Sequence, residues 1–79
     1  MAHLQNSIFF KMKSYQILRE LLVERVRRAM RVDKNKMILE CQKLGISEHY
    51  LYDFTNYQRA FVQKKMIARL YFATKSILG

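Results

Sequence analysis

The sequence predicts an all-α fold, a small domain of four to five helices. The chain has 79 residues, no proline and two glycines, of which only Gly45 is internal, and a β fold rich in turns needs more of both residues. Apolar residues make up 51% of the chain, and from Ser14 onward they recur at three- and four-residue spacing. Because a chain this short forms only one core, we expect a single domain at 14–79.

Residues 1–13 lack a clear helical period, because an apolar run lies between polar ends. We interpret 1–13 as an N-terminal arm that either extends from the domain or lengthens the first helix. The first predicted helix spans 14–31, where arginines occupy the faces that apolar residues leave open. Its apolar residues are Ile17, Leu18, Leu21, Leu22, Val26, Ala29 and Met30.

The second predicted helix spans 34–44, with Asp33 as its N-cap and Gly45 at its end, where glycine tolerates a positive φ. Ser47 is placed to cap the third predicted helix, 47–56. The fourth, 60–78, has an apolar arc wider than one core face needs. We expect the surplus to form a homodimer surface from Leu70, Phe72, Ile77 and Leu78.

The residues around Gly45 meet the requirements of a helix-turn-helix. A small residue is needed where the two helices cross, and Cys41 lies four positions before the glycine. Apolar residues at Ile46, Leu51 and Phe54 hold the second helix of the pair against the first. The sequence therefore predicts a central helix-turn-helix built from the second and third helices.

Over about residues 22–70, this spacing resembles the phage-repressor type of helix-turn-helix, the lambda-repressor-like or Cro-like family. The resemblance includes Val26, an apolar residue nineteen positions before the glycine. Met37 and Glu40 depart from the family pattern, which has a polar phosphate contact and an apolar residue at these positions. The resemblance implies a sequence-specific DNA-binding regulator of phage or mobile-element type, acting as a homodimer on double-stranded DNA.

In that family the second helix of the pair reads bases in the major groove, and flanking residues contact phosphate. Carried over by position, the resemblance implies base readers at Ser47, Glu48, His49, Tyr52 and Asp53. The predicted phosphate contacts combine positions that the resemblance implies with other basic residues of the flanks. They are Lys34, Lys36, Lys43, Tyr57, Gln58, Arg59, Lys64, Arg28 and Arg31.

The net charge of +9 indicates a polyanionic partner. Residues 1–31 and 59–79 each carry +5, whereas 32–58 carry three basic and four acidic residues. The predicted reading helix is thus itself acidic, and the cations that neutralise phosphate must come from the flanks. This segregation leaves two alternatives open. One is a protein-binding inhibitor or adaptor that presents Glu48, Tyr50, Tyr52 and Asp53, and the other is a basic amphipathic protein that binds a membrane surface or RNA.

Several functional classes are disfavoured. The chain has no Ser-His-Asp arrangement, no glycine-rich phosphate loop and little volume for a pocket, so we do not expect an enzyme. His3, Cys41 and His49 do not have a metal-ligand spacing, and we expect neither a metal nor a cofactor. The single cysteine excludes an internal disulfide, and the sequence has neither a signal peptide nor a transmembrane stretch, which indicates a cytoplasmic protein.

Overall fold

A computed structural model describes residues 2–56 and 62–79, with side chains at 14–56 and 62–79. Within these ranges the chain is all-α, as predicted, and forms α1 (Ala2–Lys43), α2 (Glu48–Thr55) and α3 (Lys64–Leu78). The described residues thus contain three helices rather than four to five. The count is lower because the first two predicted helices are joined in α1.

Asp33 divides α1 into an N-terminal segment (2–32) and a C-terminal segment (34–43). The backbone of Asp33 is extended, with φ −155° and ψ 89°, although its neighbours are helical. The Asp33 carboxylate accepts a hydrogen bond from the backbone N–H of Lys36 at 3.1 Å, which caps the C-terminal segment as predicted. The backbone at 2–13 is helical and continuous with the rest of the N-terminal segment.

Two backbone hydrogen bonds in the turn around Gly45 end α1. The N–H of Gly45 donates to the carbonyl of Gln42 at 3.0 Å, and the N–H of Ile46 donates to the carbonyl of Cys41 at 2.9 Å. This pattern is the Schellman motif, which satisfies the last helical carbonyls and requires a left-handed residue. Gly45 supplies that conformation with φ +78°.

Replacing Gly45 by alanine is expected to lower the free energy of unfolding by about 1 kcal/mol through backbone strain alone. A Cβ at this position meets no atom within 4 Å, so no side-chain clash contributes. Gly45→Asn serves as the control, because asparagine tolerates the left-handed region and should cost less. Urea denaturation followed by circular dichroism measures both changes, and equal losses for the two variants would contradict a cost set by φ.

Ser47 is the N-cap of α2, as the sequence predicts. Its Oγ accepts a hydrogen bond from the backbone N–H of Tyr50 at 3.1 Å. The eight residues of α2 make two turns, which is too short for a helix that is stable in isolation. The helix therefore depends on its packing against α1, where Leu51 and Phe54 are fully buried.

The core lies where α2 and α3 pack against the two segments of α1. Cys41 is fully buried, as expected of the small residue where the two helices cross. The buried apolar residues are Leu22, Val23, Val26, Ala29, Met37, Cys41, Ile46, Leu51, Phe54, Val62, Ile67, Leu70 and Ala73.

Two side-chain bridges hold α3 and the residues just before it against the N-terminal segment of α1. The Tyr15 hydroxyl donates to the carbonyl of Val62 and accepts from the N–H of Val62 at 2.7 Å. Farther along, Arg25 Nε donates to the Thr74 hydroxyl at 2.6 Å. Since residues 15 and 25 pair with 62 and 74 in the same order, α3 runs parallel to the N-terminal segment.

The apolar face of the first predicted helix is only partly buried. Ile17, Leu18 and Leu21 are 49%, 50% and 65% exposed, whereas Leu22 and Val26 are in the core.

Across the described residues, no helix combines the length and the apolarity that crossing a membrane requires.

Candidate nucleic-acid interface

The face of α2 opposite the core carries four of the five predicted base readers. Leu51 and Phe54 point inward, so Glu48, His49, Tyr52 and Asp53, at offsets of one, four and five residues, share the outer face. His49 is the most accessible, with its side chain 85% exposed. Its Nε2 lies 3.4 Å from Asp53 Oδ2, an ion pair only when the imidazole is protonated. The fifth predicted reader, Ser47, is exposed and caps the helix.

Lys34 connects the start of the C-terminal segment of α1 to this face. Its Nζ lies 5.5 Å from the centroid of the Tyr52 ring, within the range of a cation–π contact. The pKa of Lys34 is raised above the ordinary lysine value, chiefly by the hydroxyl of Tyr52 and also by the carboxylate of Glu48. A predicted phosphate contact and two predicted base readers are therefore neighbours in space.

The other basic residues of the C-terminal segment differ in their surroundings. Lys36 is exposed. Lys43 Nζ lies 3.2 Å from Glu40 Oε1, and the Glu40 side chain is only 21% exposed. The unusual acidic residue at position 40 thus has a partner on its own helix, although a partly exposed pair at the protein surface contributes little to stability.

Four arginines near the end of the first predicted helix, at positions 25, 27, 28 and 31, divide into two pairs. Arg25 and Arg27 are turned toward the other helices, because Arg25 bonds Thr74 and Arg27 Nη2 donates to the carbonyl of Thr55 at the end of α2. Arg28 and Arg31 are exposed. The predicted phosphate contacts in this region are therefore the two that remain accessible.

The remaining predicted residues lie around α3. Lys64 is exposed at its first position, whereas Tyr57, Gln58 and Arg59 lie outside the described residues. Of the predicted dimer residues, Phe72 is 60% exposed, and Ile77 and Leu78 are half-buried. Leu70 is fully buried in the core of one copy, which removes it from the predicted dimer surface.

The described side chains offer little for covalent or metal chemistry. Burial raises the pKa of the Cys41 thiol to about 11, so that it stays protonated at neutral pH and is a poor nucleophile. Within 14–56 and 62–79, no three His, Cys, Asp or Glu side chains lie close enough together to hold a metal ion.

Comparison of the chain with protein-family models, with curated proteins and with solved structures gives no match.

The sequence did not identify a groove between the N-terminal segment of α1 and α3. The groove is lined by Leu18, Leu21, Arg25, Lys64 and Tyr71 among others, and has a volume of about 980 Å³. The feature of the sequence that could have indicated the groove is the number of apolar residues in the first predicted helix, which is larger than one core face accommodates.

Proposed function

We propose that this protein is a sequence-specific DNA-binding regulator of the phage or mobile-element repressor type, which acts in the cytoplasm as a homodimer. The observation that carries the proposal is the presentation of α2. A capped helix held from one side by Leu51 and Phe54 presents the exposed Glu48 and His49 and the half-buried Asp53 on the other. That arrangement is what a helix needs in order to enter the major groove.

The dimensions of α2 support this role. An α-helix with its side chains is about 10–12 Å in diameter, so α2 fits into the major groove of B-DNA, which is about 12 Å wide. Glu48 and His49 occupy the first turn, where the recognition helices of such proteins contact base edges.

The cations of α1 and the carboxylates of α2 have different roles in this proposal. Exposed cations on α1 (Arg28, Arg31, Lys34 and Lys36) supply the attraction to phosphate, in a chain with a net charge of +9. The carboxylates of α2 repel phosphate, and they contribute to affinity only where they accept a hydrogen bond from a base. Cytosine N4 is the donor that Glu and Asp read in the major groove.

The exposed apolar residues of α3 support a dimer. Phe72 is 60% exposed, and Ile77 and Leu78 lie half-buried near the end of the helix. A dimer of this type would have to present its two copies of α2 to half-sites about 34–36 Å apart or a multiple of that spacing.

The experiment that tests base reading is a selection of binding sites with Glu48→Gln. Glutamine reads adenine and glutamate reads cytosine, so we expect the variant to change one preferred base per half-site from cytosine to adenine. A mismatched base should cost about 10- to 100-fold in affinity.

Glu20→Gln is the matched control, because it removes an equal charge from an exposed residue of α1 outside the predicted interface. Glu20→Gln should change the non-specific affinity little, because salt screens a charge that lies away from the phosphates, and only Glu48→Gln should alter the selected sequence. An unchanged sequence with Glu48→Gln would count against base reading by this residue.

A second candidate function is a protein-binding inhibitor or adaptor that uses the same face of α2. It is favoured by the two exposed or half-buried carboxylates on that face, Glu48 and Asp53, which are unfavourable next to phosphate. Under this alternative, His49→Ala would disrupt a protein complex and leave the affinity for DNA unchanged.

A further inference from the structure

We propose that the groove between α1 and α3 binds an acidic amphipathic helix of a partner protein. The groove runs along Leu18 and Leu21 of α1 and along Ala68 and Tyr71 of α3. The proposal goes beyond DNA binding and does not depend on it, because neither α2 nor the α1 cations assigned to phosphate above line this groove.

The floor of the groove is apolar and accessible. Leu18, Leu21 and Tyr71 are 50%, 65% and 47% exposed, and all three line the same depression. Contiguous exposed apolar surface of this kind marks an interaction site more often than it marks ordinary surface. With a volume of about 980 Å³ and an open top, the groove is at the upper limit for a small-molecule site and suits the face of a helix.

The length of the groove fits a helical occupant. The lining residues of α1 extend from Ser14 to Arg25, which corresponds to about 17 Å at 1.5 Å per residue. A helix of three turns or more, with apolar side chains at three- and four-residue spacing, covers this distance with one face.

The charges around the groove specify an acidic partner. Lys64 lines one end, and at the other end the Arg25 guanidinium lies 4.8 Å and Lys75 Nζ 5.8 Å from the centroid of the Tyr71 ring. None of the described residues that line the groove is acidic. On α1 the Glu24 carboxylate is already paired with Arg27 at 3.1 Å.

The same charges disfavour a second copy of this chain as the occupant. A second copy of α3 laid in the groove would bring its four basic residues, with no acidic one, against Lys64 and Arg25 of the first copy. The proposed dimer surface of Phe72, Ile77 and Leu78 is separate, because none of these residues lines the groove. Carboxylates on either side of an apolar stripe would instead face Lys64 and Arg25. The complementary sequence is therefore leucine-rich on one face and glutamate-rich at its edges.

The test measures fluorescence anisotropy with a labelled peptide of about 18 residues, long enough to form a helix on binding, that has leucines on one face and glutamates at the flanks. A second peptide with lysine in place of glutamate is the charge control. We expect the full-length protein to bind the acidic peptide, and we expect Lys64→Glu to weaken binding about tenfold or more. A carboxylate at the first position of α3 favours the helix, so unfolding would not explain the loss.

Lys65→Glu is the matched control, because it makes an equal charge change at the next residue of α3, which does not line the groove. Leu21→Ser tests the apolar floor against Leu39→Ser, which removes an equally large side chain that is 52% exposed outside the groove. The first variant of each pair should lose binding and the second should keep it.

Three results would overturn the proposal. The first is no binding of the acidic peptide, or equal binding of the lysine peptide. The second is an equal loss for Lys64→Glu and Lys65→Glu, which would indicate generic attraction between opposite charges. The third is a dimer in sedimentation that Leu21→Ser dissociates, which would assign the groove to a second copy of the chain.

Discussion

Leu51→Ala is expected to lower the free energy of unfolding by about 2–5 kcal/mol, the range for a buried leucine that leaves a cavity. Leu51 is fully buried on the inner face of α2, beside Phe54. A domain of this length has a total stability of about 4–12 kcal/mol, so this single change removes a large fraction of it. Urea denaturation followed by circular dichroism should show a much lower midpoint, and DNA binding should be lost because α2 does not persist without its packing.

Leu39→Ala provides the matched control for this prediction. It deletes the same atoms from a leucine of the adjoining helical segment that is 52% exposed, and we expect a loss of less than about 1 kcal/mol. Equal losses for the two variants would contradict the orientation of these helices, in which Leu51 faces the core and Leu39 faces solvent.

The affinity for DNA is expected to fall by about 10³- to 10⁵-fold between about 50 and 200 mM salt, if a dimer makes roughly six to ten phosphate contacts. The accessible cations of the interface, Arg28, Arg31, Lys34 and Lys36, are enough to make that number of contacts in two copies. Binding releases the counterions that phosphate had condensed, and added salt opposes their release. Titrations of a labelled duplex at several salt concentrations give the slope of log affinity against log salt.

Lys36→Ala should reduce that slope by about one for each copy in the complex. Lys75→Ala removes the same charge from α3, where Lys75 Nζ lies 5.8 Å from the Tyr71 ring, and should leave the slope unchanged. Equal reductions for the two variants would show that the attraction is spread over the whole protein rather than concentrated near α2.

The sequence predicted well the helix boundaries next to Asp33, Gly45 and Ser47, but not the starts of α1 at Ala2 and α3 at Lys64, which it put at 14 and 60. Asp33, Gly45 and Ser47 each act through bonds within a few residues, so their roles follow from local chemistry. The sequence also predicted the buried residues Cys41 and Leu51 of the second and third predicted helices. Both belong to short amphipathic segments with one narrow apolar face.

The spacing of apolar residues in the first predicted helix does not determine which of them are buried. Ile17, Leu18, Leu21 and Leu22 form a wide apolar arc, and the period does not tell which part of that arc meets α3. The choice depends on the line along which α3 crosses, which Tyr15 and Arg25 fix by bonding Val62 and Thr74. These pairs are separated by more than forty residues in the sequence.

The same limit applies to the charged residues of the candidate site. Composition cannot distinguish Arg25 and Arg27, which bond other helices, from Arg28 and Arg31, which face solvent. The contact of Lys34 with Tyr52 likewise depends on the angle between two helices across the turn. Position in the motif nevertheless placed Glu48, His49 and Asp53 on one accessible face.

Selection from a random-sequence DNA library at about 150 mM salt tests most directly whether α2 reads bases, because specific and purely electrostatic binding diverge at that ionic strength. Sequencing of the bound pool should show an enriched palindrome, with half-sites separated by about one helical turn of DNA or a multiple of it. A bound pool without any enriched sequence would contradict the proposal that α2 is a recognition helix. It would direct attention to a protein partner for the face formed by Glu48, His49 and Asp53.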